Sequence, residues 1–217
     1  PPLLDALDLA CVDVLGLSGG APYALAAAAG APVRVRRVAL VAGLGPLDEI
    51  GSPAGMSLLA RISVGLAARR PALQALLFSV LTGLIRARPA TMFRVLSAGA
   101  PACDRPLLDR PDLRAIWVDA LRGSVARGAR PAIEEMRRYV RPWGIDWEAI
   151  RQEVCIWHGT ADRVVPPAHA RHVADRLAHA RLEPLPGEGH VSAPVHWIGV
   201  ILERLAGREP VAAASGQ

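Results

Sequence analysis

Hydrophobic residues follow two different patterns along the chain, and the change between them divides the sequence. Short, almost continuous apolar runs occur at residues 11–17, 38–43 and 153–157, and residues 181–185 indicate a further short strand. Runs of this kind are typical of strands that are buried on both faces of a parallel sheet. Helical patterns alternate with them over about 20–30, 167–179 and 191–206. Strands that alternate with helices predict an α/β fold.

Between residues 46 and 150 the pattern is helical throughout, and it predicts no strand. Prolines separate five predicted helices, at 55–69, 72–87, 90–98, 110–127 and 131–140. The second of these is so broadly apolar that it predicts either burial or a contact surface. We therefore predict two parts. Residues 1–45 and 151–217 form the sheet-containing core, and residues 46–150 form a helical lid or cap inserted into it.

The net charge of +5 does not by itself indicate a nucleic-acid partner. All 25 basic residues are arginines, they are scattered along the chain, and aromatic residues make up only 4% of it. Proteins that bind single-stranded nucleic acid need aromatic platforms and a continuous basic groove, so we expect no nucleic-acid binding. No apolar run approaches the ~18 residues of a membrane span. In the absence of a signal-peptide pattern, a cytoplasmic location is the expectation.

Three cysteines, Cys11, Cys103 and Cys155, are an odd number at wide spacing. They form no C-x-x-C pair and no metal-binding pattern. We expect all three to be reduced and structural, and we expect neither a metal nor a cofactor.

The sequence Gly16-Leu17-Ser18-Gly19-Gly20 is the strongest chemical motif in the chain. It has the form G-x-S-x-G and lies between a predicted strand and a predicted helix, the context in which this pattern presents a nucleophilic serine. The sharp turn would hold Ser18 in a strained backbone conformation, with small residues around it allowing close packing. The N–H group of Gly19, at a helix N-terminus, could stabilise a developing oxyanion. The alternative is a glycine-rich turn with an incidental serine.

A serine hydroxyl needs a base, and the base needs an acid to orient it. The carboxyl ends of parallel strands meet at one edge of a sheet, so residues that follow different strands can converge there. Asp162 follows the third predicted strand and His190 follows the fourth, in a glycine-rich loop. Asp48, after the second strand, is the alternative acid. There are five alternative histidines. We expect His158 to pack near the site, and we expect His169, His172 and His179 on a solvated helix. The fifth is His196.

Three segments resemble the α/β-hydrolase family, at residues 16–26, 157–166 and 186–190, and they carry the Ser, Asp, His order of that family. The resemblance implies a three-layer sandwich with a mostly parallel sheet. It also implies Ser18 as nucleophile, His190 as general base and then acid, Asp162 as the orienting carboxylate and Gly19 as an oxyanion donor. The implied activity is hydrolysis of a small, hydrophobic ester or amide through an acyl-enzyme.

The family's sheet normally begins with four further strands, together with a second oxyanion donor, ahead of the strand that leads to the serine. Because this sequence shows none of them, the resemblance predicts an N-terminally truncated chain. The strand at 11–17 would then be an exposed edge, which a second copy of the chain or another partner could cover. The alternative function is a weakly active or inactive remnant that serves as a binding module.

Overall fold

A four-stranded parallel sheet forms the centre of the fold. The computed structural model describes residues 2–50 and 55–208. Its strands are β1 (Val12–Leu17), β2 (Val35–Val41), β3 (Glu153–Gly159) and β4 (Ala180–Leu185), and they lie side by side in that order. All three neighbouring pairs are parallel. Leu17 lies opposite Val41, which lies opposite Trp157, so the carboxyl ends of the first three strands are level. The predicted α/β class and its parallel sheet are confirmed.

The described part of the chain also contains eleven helices, which carry most of the remaining residues. They are α1 (Pro2–Ala6), α2 (Ala21–Gly30), α3 (Leu47–Ile50), α4 (Leu58–Arg69), α5 (Pro71–Ala87), α6 (Pro89–Ser97), α7 (Arg105–Asp109), α8 (Pro111–Ser124), α9 (Arg130–Tyr139), α10 (Ala168–Arg176) and α11 (Ser192–Leu205). Within the described ranges, no helix combines the length and the apolar character that crossing a bilayer requires.

The chain divides into two compact units. Pro1–Gly45 and Gly144–Gln217 form one, here called the sheet unit, and Pro46–Trp143 forms the other, here called the helical unit. The helical unit ends at Trp143, seven residues before the end that the sequence pattern suggested for the insertion. Its assignment as a lid remains a prediction.

Helices cover both faces of the sheet in the sheet unit. On one face, α11 packs against β2 and β3, where Val41, Trp157 and Ile201 belong to one buried cluster. On the other face, α2 packs against β1 and β2. Alternate residues of a strand point to opposite faces, so an apolar run is needed when both faces are covered. β1 pairs only with β2 in the described sheet, and most of its residues are partly exposed. A covering copy of the chain therefore remains a prediction.

The helical unit has a core of its own. Helix α5 packs against α4, α6, α8 and α9. Ile85, Met92 and Val125 form a buried cluster within it, with Leu81 and Leu121 packed against them. The five predicted helices of this region are present, each within a few residues of its expected bounds. α3 and α7, with four and five residues, are too short to show a helical period and were not predicted.

Some element ends differ from the prediction, and hydrogen bonds explain the differences. β2 begins at Val35 rather than 38, because buried Val35 already pairs with Val12 across the sheet. Helix α10 ends at Arg176 rather than 179, because the carbonyl of His179 accepts a hydrogen bond from the Val154 N–H as β4 begins. Of the predicted C-terminal tail at 207–217, residues 209–217 lie outside the described part of the chain.

Candidate active site

Ser18 lies at a sharp turn between β1 and α2. Its φ angle is +52°, in the left-handed region that side chains other than glycine rarely adopt. A Cβ atom on Gly16 would lie 2.9 Å from both Ala21 Cα and Ala24 Cβ, so strand and helix can approach only because this residue is glycine. A Cβ atom on Gly20 would meet nothing within 4 Å. The prediction that close packing around Ser18 requires small residues is therefore confirmed at Gly16 and is wrong at Gly20.

Three side chains from three different strand ends meet at this turn. Ser18 Oγ lies 2.9 Å from His190 Nε2, although 172 positions separate the two residues in the sequence. His190 Nδ1 lies 2.8 Å from Asp162 Oδ2. The structure thus brings together the hydroxyl, imidazole and carboxylate that the sequence singled out, all within hydrogen-bond distance.

Asp162 determines which nitrogen of His190 carries the proton. Its Oδ1 accepts hydrogen bonds from the backbone N–H groups of Val164 at 2.8 Å and Val165 at 2.9 Å, which fix the buried carboxylate in place. An ionised carboxylate can only accept, so in the neutral imidazole Nδ1–H must donate to Oδ2. The lone pair of Nε2 is then directed at the Ser18 hydroxyl, which is the arrangement that a general base needs.

Backbone contacts tie the loop that carries His190 to the loop that carries Asp162. The N–H of Gly187 donates to Thr160 Oγ1 at 2.9 Å, and the N–H of Ala161 donates to the Glu188 carbonyl at 2.8 Å. A Cβ atom on Gly159 would collide with the Glu188 carbonyl, so the two loops can pack this closely only because residue 159 is glycine. The imidazole and the carboxylate are consequently held on one rigid frame.

Glu188 is a positioning residue that the sequence analysis missed. Its carboxylate is 3.1 Å from His196 Nδ1 and accepts a hydrogen bond from Trp197 Nε1 at 3.2 Å, which ties the His190 loop to α11. Partial burial raises the pKa of Glu188, but hydrogen bonds from Ser192, His196 and Trp197 outweigh it and lower the pKa overall. The only sequence signal was the spacing of Glu188 ahead of a helix that carries polar side chains.

His158 supports the site from the core. It lies at the end of β3, is 2% exposed, and its Nε2–H donates to the Val165 carbonyl at 2.8 Å. The same Nε2 is 3.6 Å from Asp162 Oδ2. Burial lowers the pKa of His158. The expectation that it packs near the site is confirmed.

His169 was expected on a solvated helix face, and that expectation is wrong. The side chain is buried on α10, and its Nδ1 accepts a hydrogen bond from the Gly45 N–H at 3.1 Å. Burial lowers the pKa of His169 to about 4. A neutral imidazole thus satisfies a backbone donor in the loop that follows β2.

This burial predicts a loss of stability in acid. Between about pH 6.5 and 4 the unfolded chain binds a proton at His169 and the folded chain does not, so the free energy of unfolding falls as pH falls through that window. We expect His169→Gln to remove about 2 kcal/mol of the difference in unfolding free energy between pH 7.5 and pH 5, with His158 sustaining the remainder. Urea unfolding at both values measures it. A variant that keeps the full acid sensitivity would contradict the assignment, and His179→Gln, at an exposed position, is the matched control.

The other candidates lie elsewhere. His179 and His196 are exposed and His172 is partly exposed, whereas the Ser18 hydroxyl contacts His190. Asp48, the alternative acid, is exposed on α3, whereas Asp162 has the hydrogen bond to His190.

All three cysteines are free thiols, and residues 2–50 and 55–208 contain no group of three or more His, Cys, Asp or Glu side chains that could hold a metal ion. Gly19 directly follows Ser18 in a turn of 3-10 helix.

Solved structures with the same fold extend these observations. A serine hydrolase from Cycloclasticus zankles matches with a TM-score of 0.63 and 16% identity, over 94% of this chain and 67% of that one. A bromoperoxidase from Bacillus anthracis matches with a TM-score of 0.62 and 16% identity, over 94% and 66%. The 2-hydroxy-6-oxo-6-phenylhexa-2,4-dienoate hydrolase of Rhodococcus sp. strain RHA1 has a TM-score of 0.57 and 19% identity, over 94% and 67%. At these identities the likeness concerns the fold.

Sequence comparisons identify the family. No curated protein matches this chain. The family model described as the alpha/beta hydrolase family matches residues 2–199, which include the whole sheet and the turn at Ser18. The match covers most of the sequence and agrees with the parallel sheet, its helical layers and the structural likenesses, so the chain belongs to the alpha/beta hydrolase family.

Proposed function

We propose that this chain is a serine hydrolase in which Ser18 is the nucleophile, His190 the general base and then acid, and Asp162 the residue that orients the histidine. One observation carries the proposal: Ser18 Oγ, the imidazole of His190 and Asp162 Oδ2 form a continuous row with separations of 2.9 and 2.8 Å. A serine, a histidine and an acid are common residues, but this order of contacts is what activates a serine hydroxyl at neutral pH.

The proposed reaction has two halves. In the first, His190 Nε2 takes the hydroxyl proton as Ser18 Oγ attacks the carbonyl carbon of an ester or amide. The tetrahedral oxyanion then collapses, the bond to the leaving alcohol or amine breaks, and His190 returns the proton to it. In the second, His190 deprotonates a water that attacks the acyl-enzyme, which releases the acid and restores Ser18. We assign the Gly19 N–H as a donor to the oxyanion, because it directly follows the nucleophile at the start of a helix.

We propose a small, hydrophobic substrate and a capping role for the helical unit. The unit is inserted in the sequence after β2, whose carboxyl end pairs with that of β1, the strand that leads to Ser18. Its helices are rich in leucine, valine and isoleucine, which favours an apolar ligand. The relative from Rhodococcus acts, by its name, on a phenyl-substituted dienoate, which is consistent with an apolar substrate.

A fluorophosphonate probe tests the assignment of the nucleophile. We expect covalent labelling of the purified chain, with the adduct mapped to Ser18 by mass spectrometry, because only an activated serine displaces fluoride at a useful rate. Ser18→Ala should abolish labelling, and His190→Ala should slow it by about a hundredfold or more, since it removes the base.

Ser79→Ala is the matched control, because Ser79 is an exposed serine whose hydroxyl donates to the Ala75 carbonyl. It should label like the unmodified chain. If the folded chain takes up no probe, or if the adduct lies on another serine, the proposed nucleophile is wrong and the binding-module alternative is favoured.

A further inference from the structure

Helix α5 carries a line of exposed apolar side chains on one face. Leu73, Leu76, Val80 and Leu84 are spaced by three, four and four residues, so they lie above one another along about 17 Å of the helix. Leu76 is 62% exposed, and the other three are about half exposed. The opposite face, which carries Gln74, Thr82 and Ile85, is buried in the helical unit. The exposed line, here called the α5 stripe, is therefore extra apolar surface and not part of the core.

Other apolar side chains of the same unit share this exposure. Leu58, Leu59 and Ile62 on the neighbouring helix α4 are each at least 40% exposed, and Val95 on α6 is 61% exposed. Scattered single hydrophobic residues on a surface need no explanation, whereas a contiguous apolar line such as the α5 stripe indicates a contact surface.

The segment of the sequence that contains the α5 stripe carries charges of one sign. Residues 50–103 contain six arginines and no aspartate or glutamate. All six are exposed, and they include Arg69 and Arg70 just before α5 and Arg88 just after it. The guanidinium of Arg86, at the end of α5, instead donates to the carbonyls of Val125 and Ala126. The whole helical unit has fifteen arginines against eight acidic residues, a net charge of +7, whereas the rest of the chain has a net charge of −2. The positive charge of this protein is thus concentrated in the unit that carries the α5 stripe.

We propose that the α5 stripe and its flanking arginines dock the protein onto the surface of a lipid bilayer that contains anionic headgroups. Helices with leucines on one side and arginines at the edges lie in the membrane interface, where the apolar side chains enter the acyl boundary and the cations meet lipid phosphates. This attachment requires no spanning helix. A second copy of the chain fits less well, because a symmetric contact would bring two arginine-rich surfaces together.

Vesicle flotation with the full chain tests this proposal. We expect the protein to float with vesicles of equal parts phosphatidylglycerol and phosphatidylcholine, to bind pure phosphatidylcholine at least about tenfold less tightly, and to be released partly by raised salt. Leu76→Glu combined with Leu84→Glu should weaken binding to the anionic vesicles by at least about tenfold. Arg69→Gln combined with Arg70→Gln should weaken it by up to about thirtyfold, about fivefold for each basic residue near an anionic surface.

Matched controls separate the surface from a general effect of charge. Val33→Glu combined with Leu202→Glu adds the same two charges at exposed apolar side chains of the sheet unit, and Arg151→Gln with Arg171→Gln removes two exposed arginines of that unit. Both should bind like the unmodified chain, with far-UV circular dichroism verifying folding of every variant. The proposal is overturned if the unmodified chain does not float with anionic vesicles, or if the controls weaken binding as much as the α5 variants. It is also overturned if sedimentation shows that the α5 variants break a dimer of the unmodified chain while no vesicle binding occurs.

Discussion

Asp162→Asn should lower kcat for hydrolysis of p-nitrophenyl butyrate by about 10⁴-fold while leaving the fold intact. The asparagine Oδ1 can still accept the hydrogen bonds from the N–H groups of Val164 and Val165. Its amide nitrogen would then face His190 Nδ1 and donate to it, which forces the imidazole proton onto Nε2. With Nε2 protonated, the histidine donates to Ser18 Oγ and cannot take its proton.

Steady-state kinetics measure kcat, and far-UV circular dichroism shows whether the fold is intact. Asp175→Asn is the matched control, since Asp175 is an exposed residue of α10, and its kcat should stay within about twofold of the unmodified value. The proposed tautomer mechanism fails if a folded Asp162→Asn enzyme keeps near-normal kcat. It fails equally if Asp48→Asn, and not Asp162→Asn, removes activity.

Gly159→Ala should destabilise the protein by about 3 kcal/mol and lower activity as well. The new Cβ would lie 2.7 Å from Glu188 C and 2.8 Å from Gly189 O, closer than such atoms approach in folded proteins, and it would overlap the Glu188 carbonyl oxygen. These are backbone atoms, so no side-chain rotation can relieve the contact. The loop must move instead, and it carries His190 away from Ser18.

Urea unfolding gives the change in stability, and the rate of fluorophosphonate labelling reports the displacement of His190 independently of it. Gly199→Ala is the matched control, because Gly199 lies inside α11 with nothing within 4 Å of a Cβ atom. Alanine there should be neutral or stabilising by up to about 1 kcal/mol. Unchanged stability and labelling in Gly159→Ala would show that the two loops are not held against each other as the structure indicates.

Local patterns predicted much of this fold because each depends on residues that are close in sequence. The four strands were found from their apolar runs, and the helices from their periodicity and their prolines. The turn at Ser18 was predicted because glycine, serine and the following helix occur together within a few residues. Burial of His169 was not predictable in the same way, since its partner, the Gly45 N–H, lies 124 positions away. His169 is flanked by Ala168 and Ala170 and has Val173 one turn further on. This setting fits a buried helix face but gives no sign of a backbone donor so far away in the sequence.

The sequence by itself determined the parallel sheet, the order of its strands along the chain and the three strand-end residues Ser18, Asp162 and His190 as candidates. Only the tertiary structure decided that these side chains lie 2.9 and 2.8 Å apart, with Asp162 in contact with the histidine. The same is true of the exposure of the α5 stripe, which the pattern left open between burial and contact. Periodicity is a property of one segment, whereas a distance between two loops or the exposure of a helix face depends on how separate segments pack.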